Sequence, residues 1–147
     1  MSESSGGIGG NGAGGVEARF RDAMARLQDD DVDRARALFE DILRDQPGHA
    51  ESQHMLGLVA HQQGRIEDAR RFIADAVKSN DQNALYHNNL GEIMRLLGET
   101  EGAAECYRAA IALQPRYALA HNNLGLVLFQ LGQGDAAVEE FHTAIAI

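Results

Sequence analysis

The sequence predicts an all-α fold, an α-solenoid of about four stacked antiparallel helix pairs. Three observations predict it. The stretches Ala50-ESQHMLGLVAHQQG, Ala84-LYHNNLGEIMRLLG and Ala118-LAHNNLGLVLFQLG align without a gap at offsets of 34 residues. Small and bulky positions downstream stay in register: Ala35, Ala69, Ala103 and Ala137, then Phe39, Ile73, Tyr107 and Phe141 four residues on. Each unit also holds two apolar-periodic stretches of about three turns, too short to persist alone and so in need of a partner face.

Residues 1–15, MSESSGGIGGNGAGG, hold seven of the 16 glycines. They offer too little apolar area to offset their ordering entropy, which predicts a flexible tail. The spacing Gly7-x-Gly9-x-x-Gly12 is that of a dinucleotide-binding loop, but no strand precedes it. It reads as a chance match in a glycine-rich linker. The repeat domain then covers 16–147, divided as 16–49, 50–83, 84–117 and 118–147.

The first unit is expected to form helices over 16–28 and 33–46, with Pro47 as its stop. It is the least regular, with Asp22-Ala23 where the others carry Leu-Gly and Asp30 in place of the turn glycine, as a terminal capping repeat would be. The second unit is expected to place helices over 50–63 and 67–80, and the third over 84–97 and 101–114, closed by Pro115. The fourth is expected to place them over 118–131 and 135–147.

Gly64, Gly98 and Gly132 stand where the first helix of a unit ends and a left-handed residue is needed. Asp33, Glu67, Asp68, Glu101 and Asp135 open the second helices, where they are expected to satisfy free N–H groups and suit the dipole. Gly57, Gly91 and Gly125 fall mid-helix, where Gly costs about 1 kcal/mol against Ala. Close backbone approach, with the small Ala of the second helix opposite, is the expected compensation. The chain ends on the apolar run AIAI with no polar capping helix, so it is expected to be a fragment of a longer protein or to stack end to end.

A 34-residue period with Leu56-Gly57, Leu90-Gly91 and Leu124-Gly125, then Ala-x-x-x-aromatic, then Pro47 or Pro115, resembles the tetratricopeptide repeat family over 16–147. The resemblance implies a right-handed superhelix whose first helices line a concave groove. It also implies binding of protein segments in that groove. The strings Asn-Asn-Leu-Gly at 88–91 and 122–125 are similar to repeats of the O-linked N-acetylglucosamine transferases. There an Asn before Leu-Gly forms a ladder that holds peptide backbone, which maps onto Asn89 and Asn123. Met55 and Arg21 interrupt the ladder. Chaperone-docking members clamp a carboxylate with Lys, Asn and Arg on successive first helices. Here the first helices of units two to four carry one cation, Arg95, which argues against that ligand.

Composition removes other classes. Thirteen basic against 22 acidic side chains give a net charge of −9, which opposes broad nucleic-acid binding. A lone Cys106 supplies no internal disulfide and no Cys-rich metal site. The longest apolar run, Leu124 to Phe129, is too short to span a membrane, and no secretory signal opens the chain. A soluble cytoplasmic protein is expected. His49, His54, His61, His87, His121 and His142 include no H-E-x-x-H pair, so no metal site, cofactor or catalytic set is expected. His87 and His121, in equivalent places, are expected to pack or to bond between helices, and Cys106 to act as a small half-buried apolar group.

A binding surface remains. Helical spacing puts Phe20, Met24 and Gln28 on one stripe of the first unit. Equivalent stripes hold Glu51, His54, Leu58, His61 and Gln62; Leu85, Asn88, Glu92 and Arg95; and Leu119, Asn122, Leu126, Phe129 and Gln130. An amide both donates to and accepts from a peptide bond, so this face suits an extended segment. The candidate contacts are His54, Asn88, Asn89, Glu92, Arg95, Asn122, Asn123 and Phe129. The leading reading is a non-enzymatic protein-interaction scaffold. Two others stand beside it: the N-terminal module of a larger transferase-type enzyme, and a scaffold that self-associates through its uncapped C-terminal end.

Overall fold

Eight α-helices follow one another in the computed structural model, which describes residues 13–147: α1 (Ala13–Gln28), α2 (Val32–Asp45), α3 (Ala50–Gln62), α4 (Ile66–Ser79), α5 (Ala84–Leu96), α6 (Thr100–Leu113), α7 (Ala118–Gln130) and α8 (Gly134–Ala146). No strand occurs among the described residues, and the fold is an all-α helical repeat. The Gly7-x-Gly9-x-x-Gly12 spacing lies outside the described residues. The expected tail overshoots: α1 starts at Ala13, and Arg19 Nε donates to Gly15 O at 3.2 Å across its first turn.

Two compact units result, one ending at Pro47 and one spanning Gly48–Ile147. In the first, α1 and α2 pair through an edge-to-face contact of Phe20 with Phe39 at 5.6 Å. Arg19 reaches from α1 to Asp41 (3.0 Å) and Asp45 (2.6 Å) on α2. In the second unit three hairpins stack, α3/α4, α5/α6 and α7/α8. Ile93 of α5 closes a cluster with Ala60, Ala69 and Ile73 of the hairpin before it. Leu124, Val127 and Leu128 of α7 do the same against Ala103, Ala104 and Tyr107.

The turns inside the hairpins are alike. Gly64, Gly98 and Gly132 take φ of 76°, 80° and 77°, and the amide just past each donates back five residues: Arg65 to Ala60 O, Glu99 to Met94 O, Gln133 to Leu128 O, at 2.8 to 2.9 Å. Asp30 occupies the same place with φ 59°, so the first unit keeps the turn without the glycine. Second helices stop in extended backbone at Gln46 and Gln114, each before a proline, and at Asn80 without one.

Two expectations are corrected. Gly91 and Gly125 face the bulky residue of the second helix rather than its small alanine, whereas Gly57 meets both Ile73 and, as expected, the backbone of Ala69. A Cβ on Gly91 would lie 2.7 Å from the Tyr107 ring, and one on Gly125 2.6 Å from the Phe141 ring. Glycine removes the Cβ where the ring comes too close to the backbone to admit one. The acidic residues at second-helix starts make no cap bonds in α4, α6 and α8, because the cap positions are held by Arg65, Glu99 and Gln133. Glu67, Glu101 and Asp135 sit two positions past the cap and Asp68 three, and they act through the helix dipole. Asp31 does cap α2, accepting from the Arg34 amide.

Candidate functional site

The candidate face belongs to the second unit and is carried by α3, α5 and α7. Two sets of side chains share it. One set braces helix to helix. His54 is 5% exposed, lies 4.6 Å from the Tyr86 ring, and its Nε2 pairs with Asn89 Nδ2 at 2.8 Å. An amide nitrogen only donates, so Nε2 accepts and the ring proton sits on Nδ1. Burial holds the His54 pKa down at about 4, which keeps the ring neutral at pH 7. One repeat later, Asn123 Nδ2 donates to Oδ1 of Asn88 at 3.2 Å, with Asn88 2% exposed. The geometry is the same bond shifted by one repeat. His54 and Asn88, expected on the open stripe, are therefore buried bracing groups. Asn89 and Asn123, the expected ladder, spend an N–H on the preceding repeat and are half-buried, with Oδ1 outside that bond.

The other set faces solvent. Leu85, Leu96, Leu119 and Leu126 are exposed, and Phe129 is 70% exposed. Asn122 is exposed as well. Between the apolar groups, Arg95 bonds Glu92 through Nη2 at 2.7 Å and Nε at 3.1 Å, and the Tyr107 hydroxyl donates to the same carboxylate at 3.3 Å. The Arg95 hydrogen bonds hold the Glu92 carboxyl below its ordinary range, against its partial burial. Burial, then the Glu92 charge, pushes the Tyr107 hydroxyl up. Arg95 is thus committed to Glu92, and the face carries no free cation there.

Of the first-unit stripe, Phe20 packs on Phe39. His87 and His121 bond through Nε2 to the carbonyls of Asp81 and Pro115, each at 2.8 Å, as their equivalence suggests. Cys106 is half-buried beside Met94 Sδ, and burial followed by Glu105 pushes its thiol up to about 11, which leaves it a poor nucleophile. No group of three or more His, Cys, Asp or Glu able to hold a metal occurs among the described residues. Nor is any helix among them long and apolar enough to cross a membrane. Sequence reasoning missed Tyr86 as the platform under His54 and Leu96 on the open face. It also missed Val138 on α8, whose equivalents Arg70 and Ala104 gave no warning of exposure.

The tetratricopeptide repeat family matches residues 19–93, and a TPR repeat matches 91–132. No curated protein matches. A crystal structure of MamA is 27% identical over 85% of this chain and 73% of its own, with a TM-score of 0.80. A second MamA structure is 26% identical over 90% and 72%, with a TM-score of 0.83. A MamA RS-1 double mutant, 21% identical over 89% and 74% with a TM-score of 0.81, shares the fold.

Proposed function

The chain belongs to the tetratricopeptide repeat family, and from that membership we propose that its second unit binds an extended protein segment across α3, α5 and α7. The family and the MamA likeness support a protein-interaction or scaffold role in general. The observation that carries the finer reading is the run of solvent-facing Leu85, Leu119, Leu126 and Phe129 on adjacent first helices. Isolated apolar groups are ordinary on a surface, whereas a run on neighbouring helices offers pockets for alternate side chains of a strand-like segment. Asn123 Oδ1 and the exposed Asn122 amide supply polar partners for its backbone. Glu92 and Arg95 face the segment as a neutral pair, so selectivity is expected to come from apolar side chains rather than from a terminal carboxylate.

Panning a phage-displayed random peptide library against the full chain tests this. Selected peptides are expected to lose at least tenfold in affinity on Leu126→Asp or Phe129→Asp. They are expected to keep it on Asp75→Ala, an exposed change on α4. Peptides that ignore both α7 changes would remove the reading.

A further inference from the structure

The third repeat departs from the others at three places that meet on one hairpin. Where it has Glu92, the equivalent positions hold Met24, Leu58 and Leu126. Where it has Tyr107 they hold Phe39, Ile73 and Phe141, and where it has Arg95 they hold Leu27, His61 and Phe129. The fold joins the three. Glu92 Oε1 accepts from Arg95 Nη2 at 2.7 Å, while Oε2 accepts from Arg95 Nε at 3.1 Å and from the fully buried Tyr107 hydroxyl at 3.3 Å. Packing does not require this set. Ile73 and Phe141 lie against Gly57 and Gly125 as Tyr107 lies against Gly91, with no hydroxyl to place. A half-buried ion pair is a weak stabiliser, and apolar groups in its place are commonly as good or better. Nor does its setting depend on an end of the stack: Ile93 of α5 packs on the hairpin before, and Tyr107 shares a cluster with α7.

We propose that Glu92, Arg95 and Tyr107 form a site for a neutral amide group of the bound segment, set between the apolar side chains of the face. This rests on the reading of α3, α5 and α7 as the binding face. The bonding capacity left over selects the ligand. Arg95 has five N–H groups and gives two of them to Glu92. The Tyr107 oxygen lies near the same guanidinium, and with a third N–H turned to it two are left. Glu92 has about four lone-pair sites, of which three are filled, and the open one belongs to Oε1. Donors and an acceptor thus stand side by side, the complement of an amide C=O and N–H. Charge removes the alternatives. Glu92 and Arg95 cancel, so a carboxylate or an ammonium would bring net charge into a half-buried place where it is poorly solvated. An aliphatic side chain would leave the Arg95 donors without a partner. An Asn or Gln side chain and a backbone peptide group both carry the required chemistry.

The probes are peptides selected from the random library against the full chain. Each is remade with Leu or the matching acid at every Asn and Gln, and with an ester at each backbone amide in turn. One replacement is expected to cost about tenfold in affinity. A side-chain change that does so makes a carboxamide the source, and an ester makes it the backbone. The same replacement is expected to cost less than about twofold in Glu92→Leu/Arg95→Phe/Tyr107→Phe, which rebuilds the apolar set of the fourth repeat. Arg95→Met, which leaves Tyr107 in the core, is expected to show the same loss of sensitivity and serves if the triple variant melts early. Replacements that cost as much in the variants as in the unsubstituted chain would overturn the site, as would acid forms that bind tighter than their parents. Leu126→Asp and Phe129→Asp separate the two readings. Peptides weakened by these changes but uncoupled from Arg95 leave the binding face standing and remove the amide site. An empty selection, or peptides indifferent to every variant, would remove both.

Discussion

At His54, burial and the amide of Asn89 act on the same ring. The buried imidazole stays neutral down to about pH 4, whereas in the unfolded chain it titrates near 6.5. Between those values the unfolded chain binds more protons. The stability gained from a neutral His54 is therefore complete above pH 6.5 and is lost as pH falls toward 4, about 2 kcal/mol of it by pH 5. Asn88 shows how the same brace is built without a titrating group. His54→Asn is expected to keep an acceptor for Asn89 and to shrink the difference between urea midpoints at pH 7 and pH 5. An unchanged difference would mean that another group carries the acid sensitivity. The bracing bond itself is measurable at Asn123: Asn123→Ala leaves the buried Asn88 amide without its donor, at an expected cost of about 1–3 kcal/mol in chemical denaturation.

Between elements, the glycine facing the bulky residue decides how closely a hairpin packs. Tyr107 is fully buried and its hydroxyl is held by Glu92, so its ring cannot retreat from a new Cβ at Gly91. Phe141 has no such hydroxyl and borders an open groove. Gly91→Ala is expected to destabilise by about 1–3 kcal/mol despite a helix-propensity gain of about 1 kcal/mol, and Gly125→Ala by clearly less. Urea denaturation of the two variants checks the order. Asp30 offers the converse case: at φ 59° a glycine relieves the Cβ, and Asp30→Gly is expected to stabilise the α1/α2 hairpin by up to about 1 kcal/mol. The period and the turn glycines made hairpin number and helix limits legible to within three residues, because backbone conformation leaves its mark in residue type. The neighbour of a mid-helix glycine was not legible. Ala69 and Ile73, or Ala103 and Tyr107, lie on the same face of the second helix, and only the crossing geometry selects between them. The site was legible as a stripe but not as two sets. Asn88 and Asn122 share the string His-Asn-Asn-Leu-Gly, and Asn88 is buried because Asn123 of α7 packs on it, which no local sequence feature announces.

Across the second unit α8 is the helix with the least buried surface. Ala137 is its one buried residue, against three in α4 and four in α6, and no side chain caps its start. One polar tie holds it to α7. His121 Nδ1 meets Glu140 at 2.6 Å while Nε2 meets the Pro115 carbonyl at 2.8 Å. Both partners are acceptors, so the ring serves both only as the doubly protonated cation. Burial opposes that charge, but the Glu140 and Pro115 hydrogen bonds outweigh it, and the pKa is raised above 6.5. The sign is opposite to that of His54. The stability His121 contributes is full below pH 6.5 and is lost as pH rises through the raised folded value. Opening of α8 is local, so global denaturation would average it away, whereas amide exchange resolves it. Protection factors, which remove the intrinsic pH dependence of exchange, are expected to be at least tenfold lower in α8 than in α6. They are expected to fall further from pH 6 to pH 8. In His121→Gln the α8 protection is expected to be low at both pH values, because an amide offers one donor group and no charge. If α8 protection in the unsubstituted chain does not change with pH, the His121–Glu140 contact is not what holds the helix, and its packing against α7 through Ala137 must suffice.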